Sequence, residues 1–274
     1  MPRIDLLCRN ATAFTASGEI DENAFREFLQ RLVDSKMGVY LGSAGSGESG
    51  AMTKDELLRV YRIGVAVCKG KVQVNANPPE KPTARETIEH MKLAIEGGVE
   101  RVNVYGPPGW HAYRPTDEEF VAFFDEVLGE IRHPVAISPN PTIGYSPKPS
   151  TIAEICRRYT QIEAVNIVNQ NDDYFIEIKD LLRRDIAINV PIDGSLGMLL
   201  LGATGLIGGE LNLLPKTYRR YLDLIAANKL AEAALVYADL KRFNRYVTKW
   251  RGAHPRWIKM MMKAFKIPDR KSVV

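Results

Sequence analysis

Cysteine is scarce in this chain. Three in 274 residues, at positions 8, 68 and 156, are too far apart and odd in number for a disulfide framework, so a reducing compartment is expected. Histidine is equally sparse: His90, His111, His133 and His254 show none of the spacings that bind a metal, and neither a metal nor another cofactor is expected. No apolar run approaches the roughly 20 residues that cross a bilayer. The opening Met-Pro-Arg-Ile-Asp has no apolar signal core, so a cytoplasmic protein without a membrane partner is expected. No Gly-x-Gly-x-x-Gly opens the first strand and helix, which excludes the usual dinucleotide fingerprint. There is also no low-complexity tract and no block of like charge. The 37 Lys and Arg against 33 Asp and Glu leave a formal charge of +4, with the excess mainly over 241–271. There the bases alternate with Phe243, Tyr246, Trp250, Trp257 and three methionines, 260–262, the pattern of amphipathic helices with a solvated basic face. Nucleic acid is therefore not an expected partner.

What is present is a regular alternation of short β-rich apolar segments with longer segments of helical period. Strands are predicted over 6–8, 38–41, 72–75, 101–104, 135–137, 164–168, 187–192 and 205–207. Helix starts are marked by Thr-x-x-Glu boxes at Thr53/Glu56, Thr83/Glu86, Thr116/Glu119 and Thr151/Glu154, in which each side chain satisfies a backbone N–H that the helix leaves free. Eight such units suit an α/β fold of the (β/α)8 TIM-barrel type better than a doubly wound sheet. The reading is a barrel over 1–210 and a C-terminal helical extension over 211–274, with helices at 218–225, 230–246 and 257–265 packed on it as one unit.

In such barrels chemistry gathers where the strands end, at the C-terminal mouth. The residues expected there are mostly amides: Asn75, Asn77, Asn140, Asn166, Asn169 and Gln170, with Asp193 after the seventh strand. Amides hold a carbonyl or hydroxyl without titrating, although asparagine is also common in plain turns. The segment Gly42-Ser43-Ala44-Gly45-Ser46-Gly47-Glu48 combines tight turns, hydroxyls and amides, and reads either as a small-residue turn or as a carboxylate cradle. The fourth loop, Tyr105-Gly106-Pro107-Pro108-Gly109-Trp110-His111-Ala112-Tyr113, concentrates aromatic rings around a histidine that can act as a general base on a lid. Asp193, Glu48 and Glu210 have the chemistry to hold a hard cation, but nothing in their spacing implies that they converge.

Several of these stretches resemble the dihydrodipicolinate synthase and N-acetylneuraminate lyase family. The serine-rich loop is similar to the Gly-Thr/Ser-Thr-Gly-Glu motif that holds the substrate carboxylate, with two residues inserted. Ala11-Thr12-Ala13-Phe14 resembles its Thr-Pro-Phe, and Arg114-Pro115-Thr116 with Phe120 resembles the start of its fourth helix. The run from Gly202 to Gly209 with Pro215 resembles its eighth strand, and Pro255 with Lys259 its C-terminal helix. The resemblance implies a lyase, aldolase-like or hydratase-type enzyme, typically homotetrameric, or else dimeric, acting on a small oxo acid. It also implies a tyrosine from the fourth loop, Tyr105 or Tyr113 here, entering a neighbouring subunit's site.

The same alignment exposes two departures. The family's proton-shuttling tyrosine falls on Ser138, and its Schiff-base lysine falls on Val168 in Asn166-Ile167-Val168. Valine cannot form an imine. The expectation is therefore chemistry without that lysine: Ser43 and Ser46 on the carboxylate, Asn166 and Asn169 at the reacting centre, and His111 or Tyr145 carrying the proton. The alternative is a barrel that has lost catalysis and keeps a ligand-binding or structural role.

Overall fold

The computed structural model describes residues 4–168, 170–247, 249, 255–267 and 269. Asn169, Trp250 and His254, singled out above, lie outside them.

Eight parallel strands close into a barrel in sequence order, with the first hydrogen-bonded to the last. They are β1 (Asp5–Arg9), β2 (Gly38–Leu41), β3 (Val74–Ala76), β4 (Arg101–Val104), β5 (Val135–Ile137), β6 (Ile162–Asn166), β7 (Ala187–Val190) and β8 (Gly205–Gly208). Between and after them run α1 (Glu22–Asp34), α2 (Lys54–Cys68), α3 (Ala84–Glu96), α4 (Asp117–Glu130), α5 (Pro149–Arg158), α6 (Asp172–Leu181), α7 (Ser195–Leu200) and α8 (Pro215–Ala226). Two further helices follow, α9 (Leu230–Val247) and α10 (Arg256–Ala264). All eight predicted strands form, as do the three C-terminal helices, with ends shifted by up to three residues. None of the described helices is long and apolar enough to cross a membrane.

The local signals work through capping. Thr53 and Thr116 each accept from the amide three residues on, while Glu56 and Glu119 reach back to the cap amide. Thr83 caps α3, with its hydroxyl on Glu86. Thr151 does not cap: α5 begins earlier, at Pro149, whose missing N–H costs nothing at a first helical position. Thr151 instead donates to Asp117 Oδ1 at 3.1 Å, tying α5 to α4.

Helix faces and outward strand residues share one apolar layer. Phe25 and Phe28 from α1, Phe120 and Phe124 from α4 and Phe175 from α6 are all buried in it. Each contributes about 1.5–3 kcal/mol relative to an exposed ring.

Inside the barrel the filling is different. A small apolar group, Leu7, Tyr40 and Ile207 with Val168 against it, occupies one side. The rest is amide. Asn166 Nδ2 donates to Tyr40 Oη (3.1 Å) and Asn103 Oδ1 (2.9 Å), Asn189 Nδ2 donates to Asn166 Oδ1 (2.8 Å), and Ser138 Oγ donates to Asn103 Oδ1 (2.7 Å). Small residues make room: a side chain at Gly205 would collide with Asn189.

The C-terminal segment is bolted to the first two loops. Lys259 of α10 donates to the carbonyl of Thr12 and to Asp269 Oδ1 (2.7 Å), and lies 3.2 Å from Glu48 Oε1. Its ammonium also sits 4.8 Å from the centre of the Phe14 ring. Asp269 in turn accepts from the Phe14 amide at 3.1 Å.

Candidate active site

The parallel strands leave one cavity of about 730 Å³ at their C-terminal mouth, the size of a small-molecule site. Its wall takes residues from β1 and β8 and from the loops after β2, β3, β4, β5, β6, β7 and β8.

Of the residues expected to bind substrate, Ser43, Ser46, Asn140 and Asp193 line this cavity, and so does Val168. The serine loop is not an open cradle. Ser43 Oγ accepts from the amides of Ser46 (3.1 Å) and Gly47 (3.2 Å), so two of the amides expected to meet a carboxylate are already used within the loop. Asn140 caps its own turn by accepting from the Thr142 amide at 3.2 Å. Asp193 pairs with Lys241 of α9, and Glu48 belongs to the Lys259 cluster, so these two acids do not converge with Glu210 on a cation.

Four expected site residues do not line the cavity. Asn166, fully buried, is the hub of the amide network below it, because its strand position points inward one layer too deep. Ser138 is turned into the same network by its bond to Asn103. His111 sits on the exposed outer turn of the fourth loop, at φ 50°, with its ring edge-on to Trp110 at 5.3 Å. Tyr145 lies behind that loop and donates to the Pro107 carbonyl at 2.8 Å, with burial pushing its hydroxyl far above the usual phenol range. Tyr105 is buried and faces its own subunit's cavity, where it accepts from Asn77 Nδ2 at 3.3 Å; Tyr113 is exposed.

Two charged lining residues were not anticipated. Arg9 ends β1 and pairs in register with Tyr40, which places its side chain inside the barrel above Leu7. Period-two alternation from Leu7 carries that signal, because residue 9 must share the face of residue 7. Glu80 closes the Asn77-Pro78-Pro79 turn after β3 and offers no comparable signal.

Glu80 and Glu210 flank the cavity as partly buried carboxyls. Desolvation raises the pKa of both, and the Arg9 guanidinium partly opposes it. Tyr105 is raised for the same reason. A carboxyl whose pKa is raised holds a proton more readily and can deliver it, which is the service expected of His111 or Tyr145.

This makes a prediction about stability. A carboxyl with a raised folded-state pKa binds its proton more tightly folded than unfolded. The stability it carries is full below the ordinary value of 4.5 and is lost as pH rises through the raised one. Glu210→Gln should therefore raise the melting temperature at pH 8 and leave it unchanged at pH 4. Thermal melts at both pH values check this, and an equal shift at the two would remove the burial argument.

Among the described residues no lysine lines the cavity; Arg9 is its one cationic wall group. Val168 stands at the mouth just beyond β6, packed on Leu7, Tyr40 and Ile207.

Comparison with known proteins places this arrangement in context. The pattern of the Dihydrodipicolinate synthetase family matches residues 5–273. The 4-hydroxy-tetrahydrodipicolinate synthase of Nitratidesulfovibrio vulgaris is 26% identical over 241 residues, 85% of this chain and 81% of that protein. Among solved structures, a dihydrodipicolinate synthase variant characterised as monomeric superposes with a TM-score of 0.91 at 17% identity, covering 99% of this chain and 90% of the other. YagE, a prophage protein of E. coli K12 in complex with pyruvate, gives 0.84 at 17% identity over 97% and 88%.

Proposed function

The chain belongs to the dihydrodipicolinate synthetase family, and on that premise we propose that the mouth cavity is the active site of a lyase-type enzyme, carbon–carbon or carbon–oxygen, that works without a lysine imine. Its substrate is a small 2-oxo acid or a related carboxylate. One observation carries the reading: the position that follows β6 at the mouth is Val168, and none of the described lysines lines the wall.

Bond cleavage next to a carbonyl leaves an electron pair on the α-carbon, which must be stored as an enolate. An imine normally lowers that cost; without one, the developing oxyanion must be met by hydrogen-bond donors fixed in advance. Asn77 and Asn140 supply amide groups on the wall, and Glu80 or Glu210 returns the proton to carbon. The apolar floor of Val168 and Ile207 suits the methyl end of a short oxo acid.

We extend the proposal to a homo-oligomer, tetramer or dimer. Support comes from Trp110 and Tyr113 on the fourth loop and from Leu200 and Leu201 at the end of α7, all exposed in the single chain.

Trapping tests the central point. Incubation with pyruvate and borohydride should leave the intact mass unchanged, alongside release of a 2-oxo acid from aldol-type substrates in a coupled assay. A stoichiometric adduct on one lysine would return imine chemistry. Reproducible binding across a panel of oxo acids without turnover would instead favour a barrel retained for ligand binding.

A further inference from the structure

We propose that Arg9 is the anion anchor of this cavity and takes the carboxylate of a small organic acid in its guanidinium fork. The inference rests on the reading of the cavity as the active site and names the group that would hold the ligand there.

Nε and Nη2 of Arg9 are both shielded from solvent, and neither has a hydrogen-bond partner among the described residues. Those two nitrogens form one edge of the planar fork, the edge that receives a carboxylate through two parallel bonds once a turn of the side chain brings it round to the cavity that Arg9 lines. Glu80 and Glu210 are near enough to feel the charge, yet neither forms an ion pair with it among the described residues. A half-buried guanidinium with two shielded nitrogens left without a partner is costly, and a site that tolerates it is one that a ligand completes. The backbone that carries the fork is fixed. Tyr40 is its register partner across β1 and β2, and the Arg9 carbonyl accepts from Asn212 Nδ2 at 2.9 Å, which fixes the end of the strand.

The serine loop is the competing anchor, and the structure weakens it, because Ser43 Oγ already consumes the Ser46 and Gly47 amides. The chemistry facing Arg9 completes the ligand class. Val168 and Ile207 provide an apolar floor for one or two carbons, while Asn77, Tyr105 and Asn140 can meet an oxo or hydroxyl oxygen.

The test compares wild type with Arg9→Met and Arg9→Lys, using pyruvate, 2-oxobutyrate and oxalate as probes and pyruvamide as the uncharged control. Calorimetry should show the acids binding wild type and the amide not. Arg9→Met should weaken the acids on the order of ten- to a hundredfold. Arg9→Lys, a point charge without the fork, should recover only part of that. Removing an unpartnered buried charge should also leave the melting temperature of Arg9→Met equal to or above wild type, which a structural arginine would not do. Unchanged affinity in Arg9→Met, a fall in its melting temperature, or no binding of any acid by wild type at 10 mM probe would overturn the proposal. The two readings separate cleanly: binding through Arg9 without turnover sinks the lyase and keeps the anchor, whereas turnover that survives Arg9→Met does the reverse.

Discussion

Replacing Lys259 with methionine should lower the melting temperature by on the order of 10 °C. Lys259 is 7% exposed and faces two acids, Glu48 at 0% and Asp269 at 4% side-chain exposure. Removing one member of a buried ionic cluster leaves the others uncompensated, which costs about 3–5 kcal/mol. For a chain of this size each kcal/mol moves the midpoint by about 2–4 °C. The cluster also spans the fold. It joins α10 to the loops after β1 and β2, so its loss loosens the C-terminal segment from the Thr12–Phe14 turn. The double variant Lys259→Met with Glu48→Gln should recover part of the loss, because one of the two charges left behind is then gone. Melts of the single and double variants settle it. A double variant no more stable than the single one would mean that Lys259 acts through its apolar stem and the Phe14 contact, not through charge.

Asn166 should prove equally costly to remove, for a different reason. Asn166→Leu strips a donor from Tyr40 Oη, one of the donors to Asn103 Oδ1, and the acceptor from Asn189 Nδ2, all inside the closed barrel. Asn103 Oδ1 keeps its Ser138 donor, so two buried groups lose a partner, and at about 1–3 kcal/mol for each the loss is roughly 2–6 kcal/mol. The network has little slack, since Asn75 Oδ1, Asn103 Nδ2 and Asn189 Oδ1 already have no partner among the described residues. Denaturant melts measure the loss, and pyruvate titration of the folded fraction separates it from binding. Intact stability with abolished binding would return Asn166 to the reacting centre.

Much of the fold is legible along the chain because its signals are short-range. Thr53 and Thr116 satisfy amides only three residues away, and the continuous apolar run of a strand such as 135–137 needs no knowledge of its neighbours. Thr151 shows the limit of that logic. Its Thr-x-x-Glu spacing is right, yet Pro149 starts the helix first and Asp117, 34 residues distant, claims the hydroxyl.

The site divides along the same line. Loop residues directly after a strand, such as Ser43, Asn140 and Val168, reach the cavity because any strand end in a parallel barrel points to the mouth. Residues within strands were harder to place. Alternation says that Asn166 and Arg9 point inward, but not at what height, since height depends on the stagger of all eight strands on closing. Closure put Asn166 in the amide layer and Arg9 at the rim.

By itself, then, the order of residues determined eight strand–helix units, three of the capped helix starts and a valine just after the sixth strand, all properties of contiguous segments. Only the tertiary structure decided that Ser43 spends its hydroxyl on its own loop, that His111 and Tyr145 stay outside the cavity, and that a guanidinium from β1 faces its interior. These depend on contacts between groups far apart in the chain, and the closed barrel alone sets those distances.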